Sequence, residues 1–366
     1  MDNISHKYKT TFLNTYSYFN YLQNKNNKNN KKNNTKLLFR NMTITDMNNS
    51  IFNYNEYKSN GNGTGTGNGT GTGNIDALLI FILDGEVLDI LEKKNYIAIV
   101  FDYSFKDEYN LINCLPSKIK FIEFDSYSSF NKPIDNYPPE LEYLILSPRF
   151  NNKLDYLPYS LKYLKLYLNY LNSNSLANLP SNIEFLDIEI ISNTNDNTND
   201  NVDYHNDNAI NYLPDNIKVL VIGCNIEINI EKLPRYLEVF QSFNSYGGIN
   251  LNMKEFMEMQ KIMEIYFPFK FNKSIDYNDV DWPDTIKFLS FGEEFNQPIH
   301  NLPKYLEILE VGTSFNLEEH IILADVKFPT TLKTFNYIDR FPKQQETINL
   351  LNEIRLLYPE IQFIHK

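Results

Sequence analysis

The chain has 366 residues, 42% of them hydrophobic, with twenty-six Phe and twenty-six Tyr against a single Trp. Its formal net charge of −12 is unevenly spread: residues 1–74 carry nine basic and three acidic side chains, a net of +6, which leaves −18 for the rest. An acidic body argues against nucleic acid as its main partner, two cysteines (Cys114 and Cys224) make no disulfide framework, and the apolar run Ala77–Leu83 ends at Asp84, far short of a membrane span.

The first residues lack the apolar core of a signal peptide, so the chain reads as soluble and cytoplasmic. Residues 1–35 alternate aromatic with polar side chains and end in an Asn/Lys run. That composition predicts disorder. Lys36–Tyr57 has material for one weak helix, around Leu37, Leu38 and Phe39 and again at Ile51 and Phe52. Residues 60–74 place glycine at every odd position from Gly61 to Gly73. A phosphate-cradling G-x-G-x-x-G needs its last glycine an odd number of residues after the first, and no Lys-Ser/Thr follows, so the run is a linker. Residues 1–74 are therefore expected to form a disordered arm, either a solvated tail or a basic segment able to touch an acidic surface. From residue 75 the chain turns apolar. Ala77–Leu91 predicts a short helix or a strand pair, and Tyr96–Phe101 a strand. Together, residues 75–114 would form an N-terminal cap.

Residues 115–340 repeat. A Leu-Pro-like pair recurs at Pro116, Pro138, Pro158, Pro180, Pro214, Pro234, Pro283, Pro303 and Pro329, with steps of 22, 20, 22, 34, 20, 49, 20 and 26. A period of 20–22 residues is the signature of a solenoid. Each Pro is followed at +3 and +6 by an apolar residue, as in Leu141/Leu144 and Leu306/Leu309. The 49-residue step hides a tenth unit without Pro, at Ile262, Ile265 and Phe267. A Phe-Asn pair follows in several units: Phe130-Asn131, Phe150-Asn151, Phe271-Asn272, Phe295-Asn296 and Phe315-Asn316.

This spacing has a physical reading. Leu161-x-x-Leu164-x-Leu166-x-x-Asn169 describes a short strand with its apolar side inward, ended by an Asn-assisted turn. Proline, with fixed φ and no N–H, belongs at the corner of the coil and not in the strand. The Phe of each Phe-Asn pair fills the middle of its coil. A 20-residue coil cannot bury its own faces, so stacking must supply the core. The fold expected is mostly β: a leucine-rich-repeat-like curved solenoid of about ten 20–22-residue units, with little helix on its outer side. Ser192–Asn211, rich in Asn and Asp, is expected to be a flexible insertion. A short helix is expected within Leu251–Ile265. Residues 341–366 would form a C-terminal cap, with a helix over Gln344–Tyr358 and a last strand at Ile361–Phe363.

No motif points to catalysis. The five histidines are scattered without partners at metal-binding spacing. There is no Gly-x-Ser-x-Gly and no catalytic Cys signature. No enzyme, cofactor or metal site is expected. The outward strand face is the better lead. Phe121, Tyr143, Tyr163 and Phe185 occupy one column of the repeat, with Lys165, Asp187 and Glu189 beside them. An exposed aromatic stripe flanked by charge predicts a protein-binding surface on the concave face. The alternative is that the rings stack on each other and stabilise the sheet.

The units resemble those of the FNIP repeat family of amoebal proteins. Phe295-Asn296-Gln297-Pro298-Ile299 with Leu302-Pro303, and Phe130-Asn131-Lys132-Pro133-Ile134 with Tyr137-Pro138, carry the resemblance, which covers residues 115–340. It implies a leucine-rich-repeat-like fold and a role in protein–protein interaction. Some members carry an F-box, which would imply an adaptor in ubiquitin transfer, but Asp76–Tyr109 does not read as one. A member without a dedicated ligand is the other alternative. Either way the chain would act as a monomer, away from membranes, on an unidentified protein partner. The fourth and fifth units lack Phe-Asn, which would loosen register there.

Overall fold

The computed structural model describes residues 77–83, 85–93, 98–107, 110–169, 176, 178–191, 209–224, 228–243, 249–275, 282–321, 327–338 and 345–365. The expectations for the arm, 1–74, and for residues 192–208 of the insertion lie outside them. The chain divides into two compact units, Met1–Tyr167 and Leu168–Lys366.

Each repeat begins with the same corner. At all nine Leu-Pro-like sites the Pro carbonyl accepts a hydrogen bond from the amide three residues on, for example Leu141 N to Pro138 O at 3.0 Å and Leu332 N to Pro329 O at 2.9 Å. Proline's fixed φ favours this tight turn, and its missing N–H costs nothing there. The turn delivers the +3 apolar residue into the core: Leu141, Leu161, Ile183, Ile217, Leu237, Ile286 and Leu306 are all fully inaccessible.

In the first unit, β1 (Ala77–Ile82), β2 (Ala98–Lys106), β3 (Phe121–Phe124), β4 (Tyr143–Ile145) and β5 (Tyr163–Asn169) lie side by side in chain order. All four pairings are parallel, and the register aligns Ala98, Phe121, Tyr143 and Tyr163. The open choice at Ala77–Leu91 resolves as a strand followed by helix α1 (Gly85–Lys93), which buries Val87 and Leu91, one helical turn apart. The strand expected at Tyr96–Phe101 starts at Ala98 and runs on to Lys106.

In the second unit the order is β6 (Phe185–Ile191), β7 (Val219–Cys224), β9 (Val239–Phe243), β11 (Glu264–Tyr266), β12 (Phe288–Ser290), β13 (Ile308–Glu310), β14 (Thr334–Tyr337) and β15 (Gln362–His365), again parallel wherever the register is described. In the returns after β7 and β9, β8 (Ile228–Ile230) and β10 (Ile249–Leu251) form a second parallel pair. The ten expected unit strands, β3–β7, β9 and β11–β14, all form, including the unit without Pro. The architecture is a mostly β, parallel-strand solenoid of leucine-rich-repeat type.

Helices are few. The helix expected within Leu251–Ile265 is limited to α2 (Met253–Glu258), capped by Asn252. Met259 already has extended backbone, and Glu264–Tyr266 is strand because Ile265 is a core residue of its coil. A four-residue α3 (Leu317–His320) follows Asn316, whose side chain accepts from the amides of Glu318 and Glu319. The C-terminal α4 (Gln345–Leu357) buries Leu351 and Ile354, and β15 pairs with β14. Only the end of the expected insertion is described. Ala209–Tyr212 is a 3-10 turn with Ile210 buried. The loosened register expected in the fourth and fifth units is absent, since β6 and β7 stay aligned from Phe185↔Val219 to Ile190↔Cys224.

Three ladders run along the stack, because parallel in-register coils put equivalent residues one strand spacing apart. The first is aromatic and internal. Phe271, Phe295 and Phe315 follow one another at 6.1 and 6.0 Å, with planes 14° and 1° from parallel. Phe130 and Phe150 do the same at 6.5 Å. The second is the Asn of Phe-Asn, whose Oδ1 accepts from the equivalent amide of the next coil: Asn131 from Asn151 N at 2.7 Å, Asn272 from Asn296 N and Asn296 from Asn316 N, both at 2.9 Å. The third is ionic. The residue four after each Pro reads Lys120, Glu142, Lys162, Glu184, Lys218, Glu238, Lys287, Glu307, Lys333. Glu142 bridges Lys120 at 3.3 Å and Lys162 at 2.9 Å, and Glu307 bridges Lys287 at 3.8 Å and Lys333 at 2.6 Å.

Candidate functional site

Along each unit strand, alternate residues turn away from the core. Two outward columns carry the chemistry: the one through Phe121, and the one two residues further on. They are built by backbone register.

In the first unit, Phe121 stacks on Tyr143 at 4.2 Å and 11°, and Tyr143 on Tyr163 at 4.1 Å and 8°. These rings were expected to be exposed. They are 4%, 3% and 1% accessible. In-register parallel pairing sets the rings at stacking distance, so each ring covers its neighbour's faces. Lys165, in the second column, is also buried, with Nζ 5.5 Å from the centre of the Tyr167 ring. Glu123, two coils away in the same column, is half-buried. Burial, aided by the charge of Asp125 and opposed by Lys165, pushes its carboxyl up to about 7.

In the second unit, Phe185 and Asp187 are buried on β6 and Glu189 is half-buried. Further along, Glu264 is 2% accessible, and burial pushes its carboxyl up to about 8, although the Tyr266 hydroxyl donates to it at 3.1 Å. Tyr266 is itself driven up, first by burial and then by Glu264. Its ring lies 4.5 Å from that of Phe288. Glu310 accepts from Asn336 Nδ2 at 2.6 Å and Ser290 Oγ at 3.2 Å.

The structure thus places Phe121, Tyr143, Tyr163 and Lys165 together in the first unit, and Phe185, Asp187 and Glu189 together on β6, as a buried face and not an exposed stripe. The expected residue list missed the acids Glu123, Glu264 and Glu310. Their column position was readable, but their burial was not. Of these, Glu264 and Glu310 accept hydrogen bonds from neighbouring side chains. Among the described residues no group of three or more His, Cys, Asp or Glu is placed to hold a metal, and no helix is long and apolar enough to cross a membrane.

No protein-family model matches the chain, and no curated protein does. Among solved structures, one described as the crystal structure of CroV588, a novel circular LRR protein structure, is similar at 20% identity with a TM-score of 0.40. The similarity covers 72% of this chain and 47% of that one, so the chain spans about half the length of the structure it matches.

Proposed function

We propose that the chain is a non-enzymatic scaffold of FNIP-repeat type that recognises a protein partner through the outward face of its strands. The observation that carries this reading is the placement of a desolvated carboxyl on an outward strand column in each unit, Glu123 half-buried on β3 and Glu264 buried on β11, each pushed up by burial. Elsewhere the solenoid pairs its charges coil by coil, as Glu142 and Glu307 do. An acid left in a desolvated site against its own ionisation costs stability, and such groups cluster where a protein does work. A cationic group brought in by a partner would restore ionisation and convert that cost into binding energy.

In this reading the rings of Phe121, Tyr143 and Tyr163 form a rigid floor, with Lys165 beside them. On β6, Phe185 serves as floor, and Asp187 and Glu189 supply charge. The scaffold works as a cytoplasmic monomer. The test uses the full chain as bait beside K165E and E189K variants matched to it in melting temperature. A bound protein that is lost from both variants supports the reading. One retained equally by all three chains places recognition elsewhere and refutes it.

A further inference from the structure

The outward face of the second unit carries a row of oxygens with too few donors. Register aligns Gln241, Tyr266, Ser290, Glu310 and Asn336 across β9, β11, β12, β13 and β14. Glu264 stands beside the row, two residues before Tyr266 on β11. Tyr266 donates to Glu264, and Ser290 and Asn336 both donate to Glu310. Two oxygens are left over. Gln241 Oε1 and Asn336 Oδ1 are buried without a hydrogen-bond partner, in residues only 8% and 7% accessible. A buried acceptor without a donor is costly and calls for a group to answer it.

The charge is one-sided as well. No Lys, Arg or His stands in either outward column from β9 to β14. The Tyr266 hydroxyl feels the charge of both Glu264 and Glu310, which come from coils two apart. A ligand bringing positive charge and several donors completes such a row.

The length of the row decides the ligand's shape. Gln241 and Asn336 stand four strands apart, roughly 19 Å. A metal ion gathers its oxygens within about 2.6 Å of itself, so it cannot serve both ends. Access runs through the half-buried Tyr266, Ser290 and Ile308, whose ring and methyl groups suit methylenes. A peptide backbone would add carbonyl acceptors to a site already short of donors. A chain of methylenes carrying amines adds donors alone, three on each terminal ammonium.

We propose that this row is a binding site for a free, linear aliphatic oligoamine. One ammonium lies between Glu264 and the Gln241 oxygen, and another between Glu310 and the Asn336 oxygen. The inference shares Glu264 with the recognition reading above and goes beyond it, because its ligand is a small molecule.

The experiment is titration calorimetry of the full chain with spermidine and, separately, with trilysine, a peptide of the same net charge. Spermidine is expected to saturate one site per chain and to bind at least about tenfold more tightly than trilysine. E264Q and Q241L are each expected to weaken it about tenfold or more, the worth of a hydrogen bond to a charged group. Q241L removes no charge, so its loss cannot come from weaker attraction to an acidic body. It is expected to melt no lower than the parent, since the oxygen it removes has no partner. E140Q, at an exposed carboxylate, is expected to change nothing. Absence of saturable binding overturns the proposal, because water alone then serves these oxygens. Equal binding by all three variants and the parent overturns it too, as diffuse attraction. Trilysine binding more tightly than spermidine, and lost in Q241L, assigns the cation to a protein chain; that sinks this inference and favours the recognition reading. Spermidine held by a chain that captures no protein sinks only the recognition reading.

Discussion

Tyr143 and Tyr163 face each other across paired strands, with ring centroids 4.1 Å apart and planes 8° from parallel. The closeness follows from parallel register, which gives equivalent side chains no offset along the strand. The stack is thus part of the sheet's own stability. Tyr163→Ala is expected to cost about 3–4 kcal/mol, the range for truncating a buried aromatic. Tyr163→Phe, which keeps the ring, should cost about 1 kcal/mol or less. Denaturant titration of both variants checks the ratio. Equal losses would mean that the hydroxyl and not the stack matters.

Gly292 marks a place where two coils touch through their backbones. A Cβ there would sit 1.9 Å from the carbonyl oxygen of Pro268, and one at Gly312 would sit 2.6 Å from that of Gly292. Backbone atoms cannot step aside as a flexible side chain can. Gly292→Ala is therefore expected to destabilise by more than about 3 kcal/mol or to prevent folding. Gly85→Ala, at the start of α1 with nothing within 4 Å of the new methyl, is expected to change stability by about 0.5–1 kcal/mol at most, in the stabilising direction. Thermal melts of the two variants decide the point.

Glu142 tests the ionic ladder. Burial raises its pKa, but hydrogen bonds and charge from Lys162 and Lys120 more than compensate, and the carboxyl is held below its ordinary value. Its folded pKa lies below its unfolded one, so its contribution is present at neutral pH and is lost as pH falls through the folded value. E142Q should cost about 0.5–1 kcal/mol at pH 7 and low salt, and less at high salt. E142K, placing three lysines in a row, should cost more. Melting curves at two salt concentrations and at pH 7 and 3 are the check.

Glu264 has the opposite sign. Its folded pKa is raised to about 8 from an ordinary 4.5, so the folded state holds a proton that the unfolded chain gives up between those values. Stability from this group is full below 4.5 and declines as pH rises through about 8. E264Q keeps an acceptor for Tyr266 and removes the ionisation, so it is expected to be more stable than the parent at pH 8 by about 1–3 kcal/mol. At pH 5 the two should be nearly equal. A parent whose stability is as flat as the variant's from pH 5 to 9 would refute this.

Much of the fold was legible in the residues. Nine prolines at a period of 20–22, with apolar residues at +3 and +6, placed the ten unit strands, and even the unit lacking Pro was visible at Ile262 and Ile265. The ionic ladder was equally legible and was missed. Strict Lys/Glu alternation at Pro+4 through nine units is a sign that equivalent residues are neighbours. The short helix expected within Leu251–Ile265 forms as α2, and it stops early because the coil needs Ile265 in its core.

By itself, the sequence determined the period, the corner, the inward columns and the strand positions, since each depends on local geometry repeated at fixed spacing. It also determined that Tyr143 and Tyr163 share an outward column. Only the tertiary structure decided that this column is buried and stacked, that Glu123 and Glu264 are pushed towards their neutral forms, and that Gly292 is a backbone contact. Burial and desolvation are sums over neighbours from other coils, and a single unit's residues carry no record of them.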